Sequence, residues 1–193
     1  MKIAYRRTLA LGAVALVSFW AAPGPAQAGG RPQFALLPLV AGDTGMPYAV
    51  LPTVSERAEL GHRFETRVMA MSGGVAIAAP RVERAIARAG YDQNSAYRQC
   101  ADAGCARKLG HALHVDTVMF GSVTRAMAMI WGSQVSTVDV ASGVVRGPYD
   151  LGYKGDFLAL STGIDTLAQA VSTRLIADAA ERRRAHALTT ARH

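Results

Sequence analysis

Between residues 117 and 155 the apolar residues stop recurring at helical spacing and begin to alternate. "RAMAMIW" places Met127, Met129 and Trp131 on one side, and "QVSTVDV" alternates again. "VVRGPYDLGYKG" is a third, less regular strand, with "GS" at 132–133 and "ASG" at 141–143 as the turns between them. Three consecutive strands of period two imply an antiparallel meander, and a meander buries one face only if something is laid across it.

The rest of the chain supplies the cover. "FALLPLV" (34–40) and "VAIAA" (75–79) are short apolar runs of the buried-strand type, and "DTVMFGSVT" leads into the meander. Thr53 and Glu56 have capping-box spacing ahead of a helix over 55–72 with Leu60, Phe64, Val68 and Met71 on its inner face. Pro80 opens a second helix whose inner face is Val82, Ile86 and Ala89. A third, over 102–114, aligns Cys105, Leu109 and Leu113. Asp156 caps a long fourth helix striped by Leu160, Ile164, Leu167, Val171 and Leu175. The order is β-α-β-α-α-β-β-β-α, an α+β fold with a mixed sheet packed by helices.

The N-terminus reads as a cleaved signal peptide over residues 1–28. It has a cationic start "MKIAYRR", an apolar core "TLALGAVALVSFWAA" and small residues Ala26 and Ala28 flanking Gln27. Cleavage would leave 165 of the 193 residues, enough for one domain, assigned to 29–180. Residues 181–193, "ERRRAHALTTARH", are expected as a basic, flexible tail. Losing Lys2, Arg6 and Arg7 takes the formal charge from +7 to +4, much of it on that tail, so a nucleic-acid groove is not expected. No cysteine stands at the cleavage point, so no lipid anchor is expected, and the location is periplasmic.

The chemistry-bearing residues are few. Cys100 and Cys105 are the only cysteines, with His111 and His114 downstream. On one helix Cys105 and His111 would stand roughly 9 Å and about 240° apart, which one zinc ion cannot bridge. A catalytic redox pair favours the C-x-x-C spacing. An exported chain with two cysteines is expected to oxidise them, so the reading is a Cys100–Cys105 disulfide. His111 and His114 then flank the C-terminal end of a core helix. Met119, Met127 and Met129 carry thioethers suited to copper, but their spacing is the strand period with Trp131 on the same side, so they are read as core-facing; Met127, Met129 and Trp131 are the alternative ligand surface. Asp116 and Asp139 fall at strand ends, where carboxylates accept backbone N–H bonds. The chain carries no G-x-S-x-G, H-E-x-x-H, P-loop or G-x-G-x-x-G.

Taken in order, "FALLPLV", "RVERAIARAGY", "CADAGCARKLGHALHVDTVMFGSVTR", "VSTVDVASGVV" and "KGD" resemble a small α/β domain. That domain is seen in the N-terminal part of TolB, in the curli secretion protein CsgG and in outer-membrane activators of penicillin-binding proteins. The C-A-x-x-x-C…LG…L-x-V-D…G-S-V core is most similar to a family of small exported bacterial proteins of unassigned function. The resemblance covers most of the chain after the leader and implies envelope assembly or scaffolding rather than catalysis. It departs from CsgG and the activators in having no anchoring cysteine, and from CsgG in having little room for pore-forming insertions. The expected function is therefore an accessory, assembly or adaptor protein that binds an envelope protein, with no catalysis and no cofactor. Its contact surface would be the exposed sheet or the loop 41–54. The alternative is a periplasmic small-molecule or metal-ion binding protein.

Overall fold

The computed structural model describes residues 31–45, 49–95 and 97–190. The expected leader lies outside them. Ten elements follow in order: β1 (Gln33–Leu36), β2 (Val40–Ala41), α1 (Val54–Ser72), β3 (Val75–Ala76), α2 (Ala79–Arg88), α3 (Ala103–Leu113), β4 (Thr117–Met127), β5 (Ile130–Asp139), β6 (Val145–Lys154) and α4 (Phe157–Thr190). The fold is α+β with a mixed sheet, as the periodicities imply.

The helix boundaries follow from local chemistry. At the start of α1 the Glu56 N–H donates to Thr53 Oγ1 (3.2 Å) while the Thr53 N–H donates to the Glu56 carboxylate (2.7 Å). Pro80 sits in the first turn of α2. Asp102 caps α3 by accepting the Cys105 N–H (2.8 Å), and His114 ends it in the left-handed region at φ 57°. Asp156 accepts the Ala159 N–H (2.8 Å) at the start of α4.

The sheet runs β3-β1-β4-β5-β6. Its β3, β1 and β4 are mutually parallel, and β4-β5-β6 form the antiparallel meander. β2 extends the β1 side of β4, pairing Val40 with Ser122. One face carries Phe34, Leu36, Met119, Trp131 and Val135 against α1 (Leu60, Phe64, Val68) and α4 (Leu160, Ile164, Leu167, Val171, Leu175). The other carries Ala35, Leu37, Val118, Phe120 and Val138 against α2 (Val82, Ile86) and α3 (Cys105, Leu109, Leu113). β1 and the start of β4 are buried on both faces, which is why they read as unbroken apolar runs. The far half of the meander is covered by α4 alone, and its open face turns polar with Ser122, Thr124, Gln134 and Asp150.

Gly110 sets the distance between α3 and the sheet. A Cβ there would meet Val118 Cγ2 at 2.8 Å and Val140 Cγ2 closer still. Around this close approach Arg107 ties α3 to the end of β5, donating to the carbonyls of Val140 (2.9 Å) and Ala141 (2.8 Å).

Three expectations are corrected. The first turn of the meander is at Ala128–Met129, and Gly132 and Ser133 lie inside β5. Gly132 is required by close packing rather than by a turn, since a Cβ on it would stand 2.6 Å from Thr124 Oγ1. Met71 is exposed because the buried face of α1 ends at Val68, where the helix overruns the two-residue edge strand β3. Ala89 is exposed at the end of α2. The basic stretch from 181 is helical to Thr190 as part of α4.

Candidate interaction surfaces

Trp131 organises one end of the molecule. Its side chain is buried in β5, 5.7 Å from the Phe157 ring at the start of α4. The Arg125 guanidinium lies 4.6 Å over its indole, a geometry that holds a cation against the negative face of the ring. Arg125 also pairs with Glu56 (3.6 Å) in the first turn of α1 and donates to the Ala128 carbonyl (3.2 Å) in the hairpin turn. The Val50 N–H donates to the Arg125 carbonyl (3.1 Å), and the Gly155 N–H to the Met129 carbonyl (2.9 Å). The loop before α1, the β4–β5 hairpin, the end of β6 and the start of α4 are thereby tied into one pole.

The outer side of that pole is apolar. Leu51 is 66% exposed and Leu158 72%, and Val50, Val54, Met127, Met129 and Ile130 are also exposed. Single exposed apolar residues are ordinary, whereas a group of them on a braced scaffold marks a contact surface. The three residues expected together separate here: Met127 and Met129 are on the hairpin tip, while Trp131 is inside. The shifted turn is the cause, since it puts two residues between β4 and β5 and breaks the strand-face alternation. The loop 41–54 is an expected contact surface, but its exposed apolar residues Val50, Leu51 and Val54 were not singled out in sequence. Their signal was "AVLP", an apolar run inside a Gly- and Pro-rich connection that a fully solvated loop has no reason to contain.

A groove of about 390 Å³ lies between the start of α1 and the end of α2. Pro38, Leu39, Ile86 and Tyr91 give it an apolar lining, with Arg57 and Gln93 as its buried polar groups. Both are consumed internally. Arg57 donates to the Pro52 carbonyl (2.9 Å) and to Asn94 Oδ1 (3.0 Å), and burial lowers its pKa. Gln93 accepts the Cys100 N–H (2.6 Å) and donates to the carbonyls of Pro38 and Cys100. The structure joins Cys100 to Cys105 in a buried disulfide with Cα atoms 5.6 Å apart, so the loop over the groove is anchored to α3. A polar trough of about 490 Å³ on the open sheet face is lined by Asp43, Ser122, Thr124, Gln134 and Asp150.

The titratable groups serve the frame. Asp116 accepts the Gln33 N–H (2.9 Å). Burial works against the Asp139 carboxylate, yet hydrogen bonds from Ser142 and the charge of Arg182 outweigh it and hold its pKa below the ordinary value. On α1, burial raises the Glu65 carboxyl, with His62 acting in the opposite direction. His111 and His114 are exposed at the end of α3. Among the described residues no three His, Cys, Asp or Glu side chains are grouped to hold a metal.

No protein-family model matches the chain, and no curated protein matches it. Among solved structures, lipoprotein GNA1162 from Neisseria meningitidis superposes with a TM-score of 0.50 at 15% identity, over 75% of this chain and 96% of that one. This likeness establishes the fold. The LpoB C-terminal domain from Salmonella enterica matches at TM-score 0.48 and 9% identity, over 64% of this chain and 82% of that domain. The hypothetical protein CT253 from Chlamydia trachomatis matches at 0.43 and 11%, over 76% and 99%. Among the described residues no helix is long and apolar enough to cross a membrane.

Proposed function

We propose that this chain is an exported, non-catalytic accessory or adaptor protein of the bacterial cell envelope, and that it binds a protein partner through the apolar pole around Trp131. The observation that carries the reading is that pole. Leu51, Val54, Met127, Met129, Ile130 and Leu158 are exposed on elements locked together by the Arg125–Trp131 stack and the Arg125–Glu56 pair. A preorganised apolar surface loses little conformational entropy on binding, which is what a docking surface needs. The leader-like N-terminus, the fold shared with a lipoprotein and the resemblance to envelope-assembly domains support the compartment. A disulfide in a chain with only these two cysteines suits an oxidising compartment. Met127 and Met129 are exposed while Trp131 is buried, which supports the docking reading over a copper or small-molecule site built on all three.

The test is affinity purification from the native cell envelope at native expression, comparing the parent with Leu51→Glu and Met129→Glu. A protein recovered with the parent and lost with both variants, at unchanged thermal midpoint, is the expected result. Repeated recovery of the parent alone, or retention of the same protein by both variants, overturns it.

A further inference from the structure

The opposite pole is basic, and we propose that it docks on the surface of an anionic phospholipid bilayer. α4 spans 34 residues, about 51 Å, and its last buried residue is Ala179. Up to that point its inward stripe is apolar apart from Ser161 and Ser172, and carries no charge. One turn later the same side continues as Arg182, Arg183 and His186, so the helix changes from core-forming to cationic where the body ends.

The surrounding charges decide what this pole attracts. Arg182 pairs with Asp139 (2.6 Å) at the end of β5, Arg174 with Asp178 (2.5 Å) and Glu181 (3.6 Å), and Arg146 with Asp178 (3.8 Å). Those pairs use Asp139, Asp178 and Glu181; the fourth carboxylate at this end, Asp116, accepts the Gln33 N–H instead. Arg107 on α3 is bonded only to carbonyls, and Arg183 and Arg184 have no acidic partner among the described residues. Unpaired cations thus project from α3 and α4 around one end of the sheet. Arg183 and Arg184 are exposed and line neither the groove nor the trough, which suits an extended anionic surface. Leu188, 68% exposed, lies one turn beyond Arg184 on the same helix face, placed to enter the headgroup layer beside it. Two signals of this kind, a basic cluster and an apolar side chain, reinforce each other at a membrane surface.

The test is co-sedimentation of the protein, purified in its naturally processed form, with phosphatidylcholine vesicles and with phosphatidylcholine vesicles containing phosphatidylglycerol. Binding is expected on the anionic vesicles alone, falling as salt is raised. Arg183→Gln with Arg184→Gln should weaken it about 25-fold, taking about fivefold for each arginine. Leu188→Ser should weaken it without altering the salt dependence. Both arginines are exposed and unpaired, so the fold should be retained; circular dichroism checks that, and the salt titration of the parent gives a reading independent of any variant. Equal binding to neutral vesicles, no binding to either, or unchanged binding by the double variant overturns the proposal. So does capture of soluble polyglutamate without vesicle binding, which would assign the pole to an acidic polypeptide.

Discussion

Gly110→Ala sets two effects of opposite sign against each other, and the structure decides which is larger. In a helix interior alanine is favoured over glycine by about 0.5–1 kcal/mol. Here the added methyl would stand 2.8 Å from Val118 Cγ2, closer to Val140 Cγ2 and 3.3 Å from Val140 Cγ1, against an ordinary carbon–carbon separation of about 3.5–4.0 Å. Both valines are buried, and β-branched side chains have little torsional freedom with which to yield. α3 is in addition held to the end of β5 by Arg107, so it cannot lift without breaking two hydrogen bonds. Overpacking of this kind costs about 1–3 kcal/mol. The net expectation is a loss of about 1–2 kcal/mol, or roughly 3–6 °C in thermal midpoint for a domain of this size. Val140→Ala alone removes two buried methyl groups at a cost of about 1.6 kcal/mol. Val140→Ala removes two of the three close methyls and leaves Val118 Cγ2 at 2.8 Å, so Gly110→Ala should cost less in the Val140→Ala background than in the parent. Urea midpoints of the four proteins measure the coupling directly. A Gly110→Ala protein as stable as the parent, or penalties that simply add in the double variant, would refute the close-approach argument.

Replacing Cys100 and Cys105 together with alanine should lower stability by about 2 kcal/mol, the chain-entropy value for so short a loop, read from the urea midpoint. Alkylation of the unreduced, unfolded protein at both positions would show that no bond had formed. Trp131→Ala should cost about 3–5 kcal/mol, and near-ultraviolet circular dichroism with denaturant melts checks it. A cost under 1 kcal/mol would mean that the indole is not the hub of the apolar pole. Asp139 titrates below its ordinary value in the folded protein, so its contribution to stability is full above its unfolded pKa of about 3.9 and lost as pH falls through the folded one. Asp139→Asn should therefore flatten part of the acid limb of a stability–pH profile while lowering stability near neutrality; an unchanged limb would count against the Arg182 and Ser142 interactions.

Much of the fold was legible because each element reports its own buried side. Leu60, Phe64 and Val68 on α1, and the five-residue stripe from Leu160 to Leu175 on α4, face the core as their spacing requires. Thr53, Pro80 and Asp156 mark their helix starts through bonds spanning only a few residues, or through a fixed φ. The 132–133 turn failed because Gly-Ser satisfies a hairpin and a crowded strand equally well. Only the approach of Thr124, eight residues away and on the neighbouring strand, separates the two cases.

The sequence by itself therefore determined the periodicities, the caps, the α+β order and a pair of cysteines close enough to bond. The tertiary structure decided which exposed residues are neighbours. Leu51, Met129 and Leu158 come from three separate stretches, and they belong to one pole only because the hairpin bonds to the loop before α1 and to the segment before α4. Likewise Arg107 and Arg182 are ordinary cations in sequence, and only the end of β5 brings them to one pole. Period and capping are local properties of the backbone. A surface is made by contacts between residues far apart in the chain, and no local pattern encodes those.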